Sequence, residues 1–208
     1  MSLDSQDCLF DDAECFWQWI DKARAQAGGA SEEMCEILIE QLSVMEIKDI
    51  VRWHQHVEAY THIAHKNKLW CAADLMNGGA SDDGFEYFKG WLIAQGKIVY
   101  AGALLAPDSL ADAVVAESEG LYELEAMFTV GCDSYFLRLG IDDPSETEYG
   151  DFFRTIDELP LPQELVQAEF AAIGYSETMH EDIADNWSEG IARPLLPRLY
   201  AIFGENNE

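Results

Sequence analysis

An all-α fold is what this sequence predicts, on three observations. Apolar residues recur at intervals of three and four, glycine and proline stand between those runs, and apolar–polar alternation never lasts more than a few residues. The expected architecture is a single compact array of about six to nine helices with an acidic, partly irregular C-terminal extension. In this reading 1–140 is a helical core domain, and 141–208 is an acidic connector plus a C-terminal segment packing back on the core. A formal charge of −28 would suit disorder, but the chain is 49% hydrophobic and 12% aromatic, and disordered acidic chains are poor in aromatics.

Each element follows from local signals. Asp11 or Asp12 can cap a first helix in which Phe16, Ile20 and Ala23 share a face flanked by Trp19, and Gly28-Gly29 end it. Ser31 with Glu32 and Glu33 begins a second, its inner stripe Met34, Ile37, Leu38, Gln41 and Leu42, its acids suited to a helix N-terminus. Ser43-Val44-Met45-Glu46 reads as a capping box with Leu42 and Ile47 as the hydrophobic staple. A long third helix over 44–65 then buries Ile50, Trp53, Val57, Tyr60 and Ala64. Asn67 caps a short fourth helix carrying Leu69, Trp70, Ala73 and Met76, stopped by Asn77-Gly78-Gly79. A fifth begins around Ser81 to Asp83 and runs through Phe85, Phe88, Trp91 and Leu92 to Gly96, and a sixth covers Lys97 to Ala106 before Pro107. Asp108 or Ser109 caps a short helix through Ala116, and a long one covers 119–139 with Gly131 as its weak point. Residues 141–160 are rich in acids and poor in apolar positions, the mark of a connector. Leu165, Ala168, Phe170 and Ile173 then suggest a modest helix, and the apolar stretch Arg193 to Tyr200 packs back on the body.

Charge and targeting signals narrow the function classes. From Pro107 to Ala192 there are 21 acidic residues against two basic ones, Arg138 and Arg154, whereas 1–106 holds 17 against eight. Such a field repels nucleic-acid phosphates and anionic lipid, so direct nucleic-acid or membrane binding is not expected, and a basic protein is the favoured partner. No basic start leads into an apolar run at the N-terminus, and no stretch approaches the roughly 18 apolar residues of a membrane span. Cys8, Cys15, Cys35, Cys71 and Cys132 are scattered without a CxxC pair. A cytoplasmic protein with reduced thiols, most of them packed as small core residues, is the expectation.

The most distinctive stretch lies between 69 and 96. It reads Leu69-Trp70-Cys71-Ala72-Ala73, then Asn77-Gly78-Gly79-Ala80-Ser81-Asp82-Asp83-Gly84-Phe85, then Tyr87-Phe88-Lys89-Gly90-Trp91-Leu92-Ile93. This resembles the core motif of the bacterial domain-of-unknown-function family 4240, with Phe16-Trp17-Gln18-Trp19-Ile20-Asp21 and Ala106-Pro107-Asp108-Ser109-Leu110-Ala111 as further landmarks. The resemblance covers roughly residues 13 to 135. It implies a helical fold and no established activity. Lys89 stands where the family usually has arginine, which bears on any role needing a bidentate guanidinium.

Two groups of residues are candidate sites. The turn from Asn77 to Gly84 has glycines that let a backbone approach a ligand, and oxygens from Asn77, Ser81, Asp82 and Asp83 suited to a partner or a hard cation. Tyr87, Lys89 and Trp91 follow it. The same residues are also what capping of two abutting helices requires. The second group is His54, Glu58, His62 and His65 on the third helix, where residues one turn apart can share a metal, with His56 pointing away. H-E-x-x-H is absent, and a solvated flank is the plain alternative.

No motif names a cofactor, and no P-loop, G-x-S-x-G or G-x-G-x-x-G is present. The function expected is therefore a non-catalytic binding or regulatory protein whose acidic surface engages a basic partner protein. The alternative is an enzyme or a small-ligand or metal-binding protein with a pocket between the His-rich helix 44–65 and the 77–85 turn. The sequence names no catalytic residue and no oligomeric state.

Overall fold

The computed structural model describes residues 13–114, 121–160, 182–184 and 189–204. Every regular element among them is helical: α1 (Ala13–Gln26), α2 (Ser31–Leu42), α3 (Ile47–Ile63), α4 (Asn67–Asn77), α5 (Asp82–Ala94), α6 (Lys97–Leu105), a 3-10 helix (Pro107–Asp112), α7 (Ala126–Leu139), α8 (Glu146–Glu158), α9 (Glu189–Leu195) and α10 (Pro197–Phe203). None of the described helices is long and apolar enough to cross a membrane. The chain forms two compact units, Met1–Ala59 with Ala126–Glu169 and Tyr60–Glu125 with Phe170–Glu208.

In the first unit α1 packs on α2, and α2 on α7. Phe16, Ile20 and Ala23 are buried as their spacing predicts, and so are Trp17 and Trp19. Phe16 organises this core. It meets Trp17 edge-on at 5.0 Å, Trp53 at 5.6 Å and His56 in a stacked arrangement at 5.3 Å. A second cluster joins Ile50 and Val51 of α3, Cys132, Tyr135 and Phe136 of α7, and Phe152 of α8.

Helix α8 replaces much of the expected connector. It begins with a capping box in which the Ser145 backbone N–H donates to Glu148 at 2.7 Å. The carbonyls left open at its C-terminal end are taken up by α3 side chains. Gln55 Nε2 donates to the Ile156 and Leu159 carbonyls, and Arg52 Nη1 to those of Leu159 and Pro160, at 2.6–3.2 Å. The acids over 141–160 conceal Phe152, Ile156, Tyr149 and Phe153, which carry helical periodicity.

The second unit holds α4 to α6, the 3-10 helix, α9 and α10. Helix α10 packs on α4 and on the 3-10 helix. Its entry is capped from a distance, since the Asp108 carboxylate accepts the backbone N–H groups of Arg198 and Leu199 while the Arg198 guanidinium grips Asp112. Helix α4 is capped in the same way: Asp182 accepts from the N–H groups of Asn67 and Lys68 at 2.7 and 3.0 Å. Tyr100 Oη donates to the Tyr60 carbonyl at 2.6 Å.

Several local expectations need correction. Ser43 does not cap α3. It ends α2, its hydroxyl donating to the Glu40 carbonyl, and α3 starts only at Ile47. Asn67 is the first residue of α4 rather than its cap, and its side-chain amide donates to the Ile183 carbonyl. The helix after Pro107 is a 3-10 turn that ends at Asp112, and α7 begins at Ala126 rather than 119. Cys35, Cys71 and Cys132 are free and buried as expected, whereas Cys15 is disulfide-bonded and departs from the all-thiol expectation. The expected caps Asp11 and Asp12 and the helix expected around 165–173 lie outside the described residues.

Candidate functional site

The 77–85 turn is built by backbone conformations its sequence encodes. Gly78 closes α4 in the left-handed region at φ 69°, where a residue with a Cβ is disfavoured, and Gly79 follows at φ 132°. Ser81 caps α5, its hydroxyl accepting the Gly84 N–H at 3.1 Å. Asp74 accepts from the Ala80 N–H, and Trp70 Nε1 donates to the Ala80 carbonyl. Capping therefore accounts for Ser81, and Asp82 and Asp83 stand exposed in the first turn of α5, where the helix dipole favours them. Ser81→Ala is expected to cost about 1 kcal/mol in urea unfolding, the ordinary worth of a lost N-cap.

The turn is also tied to the segment before α7. Asn77 Oδ1 accepts from the Tyr122 N–H, the Leu124 N–H donates to the Tyr87 carbonyl, and Tyr87 Oη donates to Glu125 at 3.1 Å. A Cβ on Gly84 would lie 3.1 Å from Glu123 Oε1. Tyr87 is thus ringed by acids. Its hydroxyl titrates above its ordinary value, first because of the hydrogen bond to Glu125 and then through the charges of Glu125, Asp83 and Glu123. Trp91 is core, packed on Phe88 at 5.4 Å and edge-on to Tyr122 at 5.2 Å.

Lys89 is buried, with 1% of its side chain exposed. Its ammonium donates to Glu86 Oε1 at 2.6 Å, meets His65 Nδ1 at 3.1 Å and lies 5.0 Å from the Phe85 ring centre. With the ammonium as donor, this contact pairs with the Nε2–H tautomer of the His65 ring. Trp70 stacks flat on Phe85 at 4.8 Å, and His65 tilts against the same ring at 5.5 Å. Glu86 and His65 remain partly exposed, so the network reaches water through them. Glu86, Trp70 and Phe85 were not among the sequence candidates; the Glu86–Lys89 spacing of three was the one signal available.

The histidines of α3 separate rather than cluster. His56 is buried against Phe16, so it is a core residue and not part of a solvated flank. His62 is exposed. His65 belongs to the Lys89 network of the second unit, while His54 and Glu58 lie in the first. His54 is buried, its ring edge-on to Phe152 at 5.1 Å and its Nε2 3.7 Å from Glu58 Oε1. Among the described residues no group of three or more His, Cys, Asp or Glu side chains is arranged to hold a metal ion.

Burial pushes the His54 imidazole down to about 4, and the Glu58 carboxylate does not offset it. An unfolded histidine titrates near 6.5, so between those values the unfolded chain binds a proton the folded chain refuses. The stability this gives is whole above about pH 6.5 and is lost as pH falls toward 4, by roughly 3 kcal/mol in all. Glu58 works the other way, because burial and then Asp157 raise its carboxyl and favour the folded chain at low pH. Urea midpoints at pH 7.5 and 5 should fall further for the wild type than for His54→Gln. Equal slopes would refute the assignment.

Surface acids concentrate on α8 and its approach. Asp142, Asp143, Glu146, Asp157 and Glu158 are all exposed, and none is ion-paired among the described residues. Asp151 and Glu148 are used internally, the first by Arg154 and the second by the cap. Two exposed rings, Tyr149 and Phe153, share this helix. Neither was singled out from the sequence, although their spacing of four was visible.

Comparison with known proteins agrees with the resemblance read from the motif. No curated protein and no solved structure matches the chain. Residues 12–136, covering α1 to α6 and most of α7, match the family described as Protein of unknown function (DUF4240), and the chain belongs to that family.

Proposed function

We propose that this is a binding or regulatory protein, without catalysis of its own, whose acidic surface engages a basic partner protein. The observation that carries the reading is the set of five exposed carboxylates, unpaired among the described residues, at Asp142, Asp143, Glu146, Asp157 and Glu158. Between residues 139 and 192 the sequence offers one basic side chain, Arg154, and that one is held by Asp151. Uncompensated surface charge of one sign steers an oppositely charged partner and makes the encounter salt-dependent.

The test compares the wild type with a chain in which the five residues become Asn or Gln. Native mass spectrometry and affinity capture from its own cells should recover a basic protein with the wild type and not with the neutralised chain. A neutralised chain that keeps every contact would sink the proposal. A second reading, an enzyme or a small-ligand or metal-binding protein, draws on the Lys89, Glu86 and His65 network beside the 77–85 turn. It requires that Asp82→Ala with Asp83→Ala abolish ligand binding without loss of folding.

A further inference from the structure

The exposed face of α8 carries more than charge. At 100° per residue, Glu146, Tyr149, Phe153 and Asp157 fall within about 80° of one another. They form one stripe, with an acid at each end and two aromatic rings between. Phe153 is 53% exposed and Tyr149 41%. Both rings are nevertheless steadied from below, Tyr149 edge-on to Phe136 at 4.9 Å and Phe153 against Phe152 at 5.6 Å. The helix itself is fixed at both ends, by the Ser145–Glu148 cap and by Arg52 and Gln55 on its last carbonyls. A stripe held in this way loses little freedom when a partner covers it.

From this geometry we infer that the stripe docks a basic amphipathic helix of the partner protein. Two apolar side chains one turn apart seat on Tyr149 and Phe153, and lysines or arginines beside them meet Glu146 and Asp157. The inference rests on the acidic partner-binding reading and adds the partner's form. The length suits it, since the eleven steps from Glu146 to Asp157, at 1.5 Å each, span about 17 Å, or three turns of an opposing helix. Aromatic faces also attract the cationic stems and heads such a helix would carry.

Charge decides against the other occupants. A second copy laid on the stripe would bring acid onto acid, and each copy carries a formal charge of −28. Phosphate backbones and anionic lipid are repelled for the same reason. An uncharged apolar helix would cover the rings but leave the carboxylates at the rim without partners. The five acids and the two rings are complementary together only to a segment that is both basic and apolar on one face.

The probes are two synthetic helical peptides of equal positive charge, one with leucines at the two apolar positions and one with serines there. Each is labelled and titrated with the full chain at physiological salt, followed by fluorescence anisotropy. The leucine peptide is expected to bind at least about tenfold tighter. That advantage should vanish on a Tyr149→Ser, Phe153→Ser chain, while Glu146→Gln with Asp157→Asn should weaken both peptides. Equal binding of the two peptides to the unaltered chain overturns the docking stripe, and no misfolded variant enters that comparison. If Glu146→Gln with Asp157→Asn still weakens both, the broader acidic reading stands without the stripe. Indifference to both sets of substitutions removes both.

Discussion

Gly131→Ala is expected to destabilise the protein by about 2 kcal/mol, although by helix propensity alone the change should help by about 1. A Cβ placed on Gly131 of α7 would lie 2.6 Å from the Cβ of His54, 2.8 Å from its Nδ1 and 3.0 Å from Cγ. The first of these neighbours is fixed to the backbone of α3, so no rotamer of His54 relieves the contact. Either α3 and α7 move apart or the added methyl displaces the His54 ring from Phe152, and each loosens the packing around Phe152 and Tyr135. Urea unfolding should show a lower midpoint, and adding His54→Gly should recover part of the loss by removing the opposing Cβ. His54→Ala should recover much less, since it keeps that Cβ. Equal rescue by both would show that the ring, and not the helix spacing, sets the cost.

Gly131 also marks where the sequence stops being readable. As an isolated glycine in an apolar helix it signals only weakness, because its reason lies on a helix some 75 residues earlier in the chain. The same holds for caps supplied from afar. Asn67 stands where a local cap belongs, but Asp182 does the capping, and a carboxylate over a hundred residues away leaves no trace in the local pattern. By contrast, the signals at Gly78 and Ser81 need only their own neighbours, and the turn between α4 and α5 forms as those residues predict.

Helix α8 is hidden in the sequence for a different reason. Its apolar face is short, and its acid count drew attention to charge rather than to the three-four spacing of Tyr149, Phe152, Phe153 and Ile156. The Ser145–Glu148 capping box was present in the sequence and should have outweighed composition. For the candidate site, the residues singled out from the motif include the turn, Lys89 and Trp91 but leave out Glu86, Trp70 and Phe85, which the structure places around Lys89. Trp91 turned out to be core, and His65 and Glu86 turned out to be the groups that Lys89 needs.

Lys89 gives the second large effect, and its substitutions separate volume from charge. Lys89→Ala is expected to cost about 4 kcal/mol, since it empties a space beneath Glu86 and against Phe85 that the surrounding core cannot close. Lys89→Met keeps the stem and gives up the ammonium. Glu86 and His65 are both partly exposed and can turn to water when that partner is gone, so methionine should cost only about 1 kcal/mol. Arginine, which the family motif favours, should also be tolerated, because its fork can reach Glu86 and His65 at once. Thermal or urea unfolding of the three variants orders them. If methionine is as damaging as alanine, the buried ammonium rather than its hydrocarbon stem holds this corner together. Glu86→Gln and His65→Ala should then each reproduce much of the loss, because each removes one of the two polar contacts that make a buried positive charge tolerable.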